Sequence, residues 1–110
     1  MYCQKITLTD PESAIIGQLF CEVLEWELRA SEDDGVLLEG PSFKMEILTG
    51  GAQATQLFFE MSEDEIRELQ LRFSFLQFKR PEFQDFAIQV KKSSVELGRK
   101  NGLGPTLIFQ

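Results

Sequence analysis

Apolar and polar positions in the first half of the chain predict a strand, a helix and three further strands. In residues 2–9 Ile6 and Leu8 lie two positions apart on one face, which is the period of a strand. The next apolar residues recur every four positions and predict a helix that ends near Leu24 or Glu25. Three short strand segments follow at residues 26–30, 36–39 and 43–48. The order is therefore βαβββ.

The first half also carries local signals for the ends of these elements. We expect Asp10 to cap the helix and Pro11 to occupy its first position, where the missing N–H costs nothing. Gly17 lies inside the helix and weakens it unless another element packs closely against it. Asp34 and Gly35 form the expected hairpin turn between the first two of the three strands.

The second half repeats this order. Residues 56–61 resemble a strand, and Ser62 with Glu65 forms a capping box for a helix that has to end before Pro81. The apolar stripe of this helix has 3-4-3 spacing and consists of Ile66, Leu69, Phe73 and Leu76. Alternating residues then predict strands at 85–90, 94–97 and 106–109, with a turn region over residues 98–105.

One half alone is too small to be a stable domain. A unit of about 50 residues leaves one apolar face of its sheet uncovered. We therefore expect a single domain over residues 1–110, with unit one at about 1–52 and unit two at about 53–110.

Composition and charge exclude several functional classes. The chain has 110 residues, with 11 Lys and Arg against 18 Asp and Glu, and its net charge of −7 argues against nucleic-acid and anionic membrane partners. Histidine is absent from the sequence, so a Ser-His-Asp triad, a Cys-His dyad or a histidine zinc site cannot form from this chain alone.

The cysteine usage and the lack of targeting signals indicate a cytoplasmic protein. The two cysteines, Cys3 and Cys21, do not form a disulfide framework of the kind found in small secreted domains. The first residues show no signal segment, and no apolar run approaches the roughly 20 residues needed to span a bilayer.

Three segments resemble the vicinal oxygen chelate superfamily, which includes glyoxalases, bleomycin-resistance proteins and extradiol dioxygenases. Residues 18–28, QLFCEVLEWEL, resemble the family's passage from helix to strand. Residues 43–47, FKMEI, resemble its fourth strand, and residues 56–62, QLFFEMS, resemble the strand that opens its second unit. The resemblance implies an α+β fold, in which two βαβββ units form a curved mixed β-sheet with the helices on the outside.

The resemblance also implies where a metal would bind in metal-dependent members. These members place His, Gln or Glu on the first and last strand of each unit. When these four ligand positions are transferred to this sequence by its strand pattern, they fall near Cys3, Glu46, Gln56 and Ile108. Glu46 is a good oxygen ligand and Gln56 a neutral one, but Ile108 cannot coordinate a metal. We therefore expect no metal and no cofactor, which argues against reactions that need a metal to polarise a substrate oxygen.

Four residues are candidates for ligand binding. Glu46 and Gln56 follow from the family positions. Trp26 begins a short predicted strand. Phe58 and Phe59 are adjacent on another predicted strand and therefore point to opposite faces of it. Trp26 and Phe58 are therefore candidates for a pocket or an interface. The simpler interpretation is that the strand glutamates face water and that most aromatic side chains lie in the core.

The resemblance implies a glyoxalase-like or bleomycin-resistance-like protein. We expect it to bind a small hydrophobic or cationic molecule in the concavity of the sheet, without a metal, and to form a homodimer. One alternative is a degenerate lyase or dioxygenase-type enzyme in which Glu46 acts as a ligand or a base. Another is a protein-interaction module without a ligand. No catalytic residue is predicted, and the missing histidine argues against enzymatic activity.

Overall fold

The computed structural model describes residues 4–110 and confirms the α+β class with two βαβββ units. The strand predicted at residues 2–9 can therefore be compared with the structure only from residue 4 onward. Cys3 lies outside the described residues. Contacts divide the chain between Gln53 and Ala54 into unit 1 and unit 2. No helix within residues 4–110 is long and apolar enough to cross a membrane.

Unit 1 is a four-stranded mixed sheet with one helix packed on it. Its elements are β1 (Lys5–Asp10), α1 (Ser13–Leu24), β2 (Glu27–Ala30), β3 (Gly35–Glu39) and β4 (Lys44–Thr49). The strand order is β1-β4-β3-β2, and β1 runs parallel to β4 while the other pairs are antiparallel. The core of the unit includes fully or almost fully buried residues of the sheet and of α1: Leu8, Leu38, Met45, Ile47, Ile16, Leu19, Phe20 and Val23.

The start of α1 differs from the prediction. The helix begins at Ser13 with Glu12 as its N-cap, so Pro11 lies in the preceding turn and not at the first helical position. Asp10 is the last residue of β1, and its buried carboxylate accepts the N–H of Glu12 at 2.9 Å. Asp10 thus stabilises the turn that leads into the helix, because the chain needs two residues to leave the sheet before α1 can begin.

Gly17 lies where α1 passes close to β3. A Cβ atom at Gly17 would fall well inside the contact distance of Val36 Cγ2. The glycine is buried, and Val36 is a β-branched residue with little rotamer freedom. The weak point predicted in the helix is therefore compensated by a close approach between α1 and the sheet.

We expect Gly17→Ala to lower the free energy of unfolding. Overpacking costs about 1–3 kcal/mol, which exceeds the roughly 0.5–1 kcal/mol that alanine gains over glycine in a helix. Urea unfolding measures the loss. The matched control is Gly51→Ala, because an added Cβ there meets no atom within 4 Å.

A second variant tests the cause of that loss. Combining Gly17→Ala with Val36→Ala removes the clashing methyl, so the loss in the double variant should be smaller than the sum of the two single losses. If Gly17→Ala unfolds at the same urea concentration as the wild type, the close approach does not constrain the helix.

Unit 2 has the same topology. Its elements are β5 (Gln56–Phe59), α2 (Glu63–Lys79), a 3-10 turn (Pro81–Phe83), β6 (Phe86–Val90), β7 (Val95–Arg99) and β8 (Thr106–Phe109). The strand order is β5-β8-β7-β6, with β5 parallel to β8. Gly98 and Arg99 belong to β7, so the turn predicted from residue 98 begins two residues later.

The predicted start of α2 is confirmed. Ser62 Oγ accepts the N–H of Glu65 at 3.2 Å, and Glu65 Oε1 accepts the N–H of Ser62 at 3.1 Å, which is the expected capping box. Leu69 and Phe73 from the predicted stripe are buried. Near the other end, Gln77 Nε2 donates to the carbonyl oxygen of Phe86 at 2.8 Å and so attaches the helix to β6.

Candidate functional site

The face of the unit 1 sheet opposite α1 carries polar side chains around Glu46. Successive residues of a strand point to opposite faces, so the two neighbours of Glu46 on β4, Met45 and Ile47, are buried on the other side. The strand register places one residue of each strand in a row across the Glu46 face: Thr7, Glu46, Leu37 and Arg29.

Glu46 is buried on this otherwise accessible face, and three neighbours hold its carboxylate. Its exposed fraction is 7%. Ser31 Oγ donates to Oε2 at 2.5 Å and Thr7 Oγ1 donates to Oε1 at 3.3 Å. Lys5 Nζ lies 3.3 Å from Oε1. These residues come from β1 and from the turn after β2, so the orientation of the carboxylate is fixed by two separate segments.

These partners lower the pKa of Glu46 below its ordinary value. The hydrogen bond from Ser31 is the largest cause, and burial opposes it by raising the pKa. The bond and the charge of Lys5 and the bond from Thr7 lower the pKa further. Glu46 is therefore an anion at neutral pH and a weak base, because a general base is most effective when its pKa lies near the working pH.

An open depression of about 520 Å³ lies beside Glu46, within unit 1. Three cations and three carboxylates are among its lining residues: Lys5, Arg29, Lys44, Glu32, Asp33 and Glu46. Leu37 adds an apolar surface. Arg29 forms an ion pair with Glu39, and Lys5 forms one with Glu46. The depression can hold a small molecule that makes one ionic and one apolar contact.

Trp26 lies outside the residues that line this depression. Its ring packs edge-on against Phe43, with ring centroids 5.1 Å apart and an interplanar angle of 86°. A Cβ at Gly40 would lie 2.5 Å from the indole, so glycine is needed where the chain passes over the ring. These contacts give Trp26 a packing role, and a contact with a ligand stays a prediction.

Gln56 and Phe58 lie on β5 in unit 2. The parallel pairing places Gln56 opposite Thr106 and Phe58 opposite Ile108. Phe58 and Ile108 therefore occupy the positions that Thr7 and Glu46 occupy in unit 1. Gln56 and Phe58 are both exposed, and their contact with a ligand stays a prediction.

The donor atoms do not fit a metal ion. Within residues 4–110, no three His, Cys, Asp or Glu side chains come together as metal ligands would. Glu46 already accepts bonds from two hydroxyl groups and pairs with Lys5. Its counterpart in unit 2 is the aliphatic Ile108, which has no ligand atom. Cys3 lies outside the described residues.

The residues that orient Glu46 were not predicted from the sequence. Lys5 and Thr7 could be identified only after the parallel register of β1 and β4 was known. Ser31 lies at the start of the turn between β2 and β3, and the direction of its hydroxyl depends on the fold. Serine next to a turn is too common to indicate a binding site.

We expect Glu46→Gln to lower stability in a pH-dependent way. The pKa of the folded state is below the ordinary value of about 4.5, so ionisation favours the folded protein. This contribution is fully present above the ordinary pKa and is lost as the pH falls through the lower, folded-state value. Urea unfolding of both proteins should therefore show a difference in stability at neutral pH that shrinks in acid. A difference that is constant with pH would contradict this account.

Comparisons with known proteins identify the fold. No family model matches the chain, and none of the curated proteins matches it. Among solved structures, one described as a "possible Glyoxalase from Bacillus cereus" has a TM-score of 0.71 at 12% identity, covering 100% of this chain and 98% of that one.

Two further structures support the same assignment. The fosfomycin resistance protein FosX from Listeria monocytogenes has a TM-score of 0.70 at 12% identity, covering 97% of this chain and 87% of that one. Oxidase ChaP-H2 has a TM-score of 0.66 at 12% identity, covering 100% of this chain and 94% of that one. These similarities confirm the glyoxalase-like fold of two βαβββ units. At this identity they establish the fold alone, and function has to be argued from the site.

Proposed function

We propose that this protein binds a small molecule with a cationic group in the depression beside Glu46, with the carboxylate as counter-ion and without a metal. The observation that supports this proposal is the state of Glu46. It is an almost fully buried anion, and Ser31 and Thr7 fix its orientation. A carboxylate that is already oriented and desolvated pairs with an ammonium group at little cost of reorganisation.

The position of Lys5 supports a place for the ligand cation beside Glu46. Its ammonium group is 3.3 Å from Glu46 Oε1, so this place beside the carboxylate accommodates a positive charge. The Lys5 side chain is half exposed, so its ammonium group can move into water although Glu46 is buried. A cationic ligand can therefore displace Lys5 into water and take over its ion pair with Glu46.

Leu37 favours a ligand whose cation carries apolar substituents. It is the neighbour of Glu46 on β3, it is partly exposed, and it lines the depression. Contact with methyl groups would remove apolar surface from water on both sides. A methylated ammonium group, such as that of choline, presents positive charge and methyl groups together.

The low pKa of Glu46 favours binding over catalysis. An enzyme that used Glu46 as a general base would need a pKa near neutrality, and the bonds from Ser31, Lys5 and Thr7 shift it in the opposite direction. The alternative of a degenerate enzyme with Glu46 as its base is therefore less well supported than a binding protein.

We expect choline to bind and its neutral analogue 3,3-dimethylbutan-1-ol not to bind. The two compounds have the same shape, and only choline carries the charge that pairs with Glu46. The measurement is isothermal titration at pH 7 and matched ionic strength. Glu46→Gln should weaken choline binding at least tenfold, because the neutral amide removes the counter-ion.

The matched control for this variant is Glu96→Gln. Glu96 is a partly buried strand carboxylate paired with Lys91 at 3.1 Å, and it lies outside the depression. This variant should bind choline as the wild type does. Equal binding of the two compounds, or choline binding that is unchanged in Glu46→Gln, would contradict the proposal.

We also expect Lys5→Met to tighten choline binding by about tenfold. Methionine keeps an apolar side chain of similar length but removes the ammonium group that competes for Glu46. The same titration gives the dissociation constant. Weaker or unchanged binding would show that Lys5 and the ligand do not compete for one place.

A further inference from the structure

Helix α2 carries an exposed apolar stripe on the side opposite its buried face. Leu71, Phe75 and Phe78 are 68%, 58% and 88% exposed, and their spacing of four and three residues places them on one face. Leu69 and Phe73, which are buried, lie on the other side of the helix. The stripe leaves roughly 400 Å² of apolar surface in water, a patch size that often marks an interaction site.

Charges along α2 are distributed unequally between its two ends. Residues 63–68 contain four carboxylates and one arginine, whereas residues 69–79 contain Arg72 and Lys79 and no carboxylate. Glu68 and Lys79 are eleven residues apart, which is about three helical turns. They therefore flank the apolar stripe on the same side, one near its start and one near its end.

We propose that this stripe is the interface with a second copy of the chain, in which the two α2 helices pack antiparallel about a twofold axis near Phe75. The axis places Leu71 against the partner's Phe78 and the two copies of Phe75 against each other. It also places Glu68 near the partner's Lys79, so each acidic helix start faces a basic helix end. A parallel arrangement would bring like charges together.

The size of the stripe sets the expected strength of this dimer. Stable interfaces bury about 800 Å² on each partner, and the stripe supplies about half of that area. The net charge of −7 on each copy also opposes association. We therefore expect a dimer that forms with a dissociation constant in the micromolar range and dissociates on dilution.

Sedimentation equilibrium between about 5 and 500 µM tests the stripe. The wild type should change from monomer to dimer over this range, and Phe78→Ser should weaken association at least tenfold. Phe78 is almost fully exposed, so this change should leave the melting temperature nearly unaltered. The control is Leu103→Ser, at an exposed leucine outside α2, which should associate as the wild type does. A wild type that is monomeric throughout, or unaltered association of Phe78→Ser, would overturn the proposal.

A charge exchange tests the antiparallel arrangement. Glu68→Lys places two cations opposite each other in its own homodimer, and Lys79→Glu places two carboxylates opposite each other. Each variant alone should therefore associate more weakly than the wild type, and an equimolar mixture should recover dimer because both contacts are again between opposite charges. In a parallel dimer neither single variant would be weaker than the wild type, and that result, or a mixture without dimer, would overturn the proposal.

Discussion

The parallel pairing of the first and last strand of each unit is the constraint on which the rest of the structure depends. A parallel pair cannot be joined by a hairpin, so the chain has to cross over through a helix and two further strands before it returns. In unit 1 this pairing joins β1 to β4, and in unit 2 it joins β5 to β8. It also brings Lys5 and Thr7 beside Glu46, although some forty residues of sequence separate them.

Periodicity in the sequence was sufficient to predict most of the elements, because strands and helices each bury one face. The start of α1 was predicted less well. Proline after aspartate is typical of a helix start, but Asp10 is still paired in β1 and the helix begins three residues later. Local preferences could not show this, since the end of β1 is determined by its pairing with β4.

The two sides of α2 show a second limit of sequence patterns. The stripe of Leu69 and Phe73 was recognised because its spacing fits a helix, and the structure buries both residues. Phe75 and Phe78 have equally good helical spacing, but a pattern of apolar residues does not show which of two faces meets the sheet. Their exposure became evident only from the packing of α2 in the structure.

The site around Glu46 was predicted only in part. The resemblance to a known family indicated the residue, and the strand pattern placed it on a sheet. Strand glutamates usually face water, so the sequence did not indicate that the exposed fraction of Glu46 is only 7%. The burial depends on Ser31, Thr7 and Lys5, which reach the carboxylate from other parts of the unit.

The comparison of the two units indicates that the fold does not require a carboxylate at this position. Both units have the same strand order, and the counterpart of Glu46 in unit 2 is Ile108. The exposed fraction of Ile108 is 4%. An aliphatic side chain fills the position there without any hydrogen-bonding partners. Burying a carboxylate costs free energy that its partners have to offset, and removing such a pair in favour of apolar residues is often neutral or stabilising. A role in stability alone therefore does not explain Glu46 and its three partners, and this supports the proposed role of the carboxylate in binding a cation.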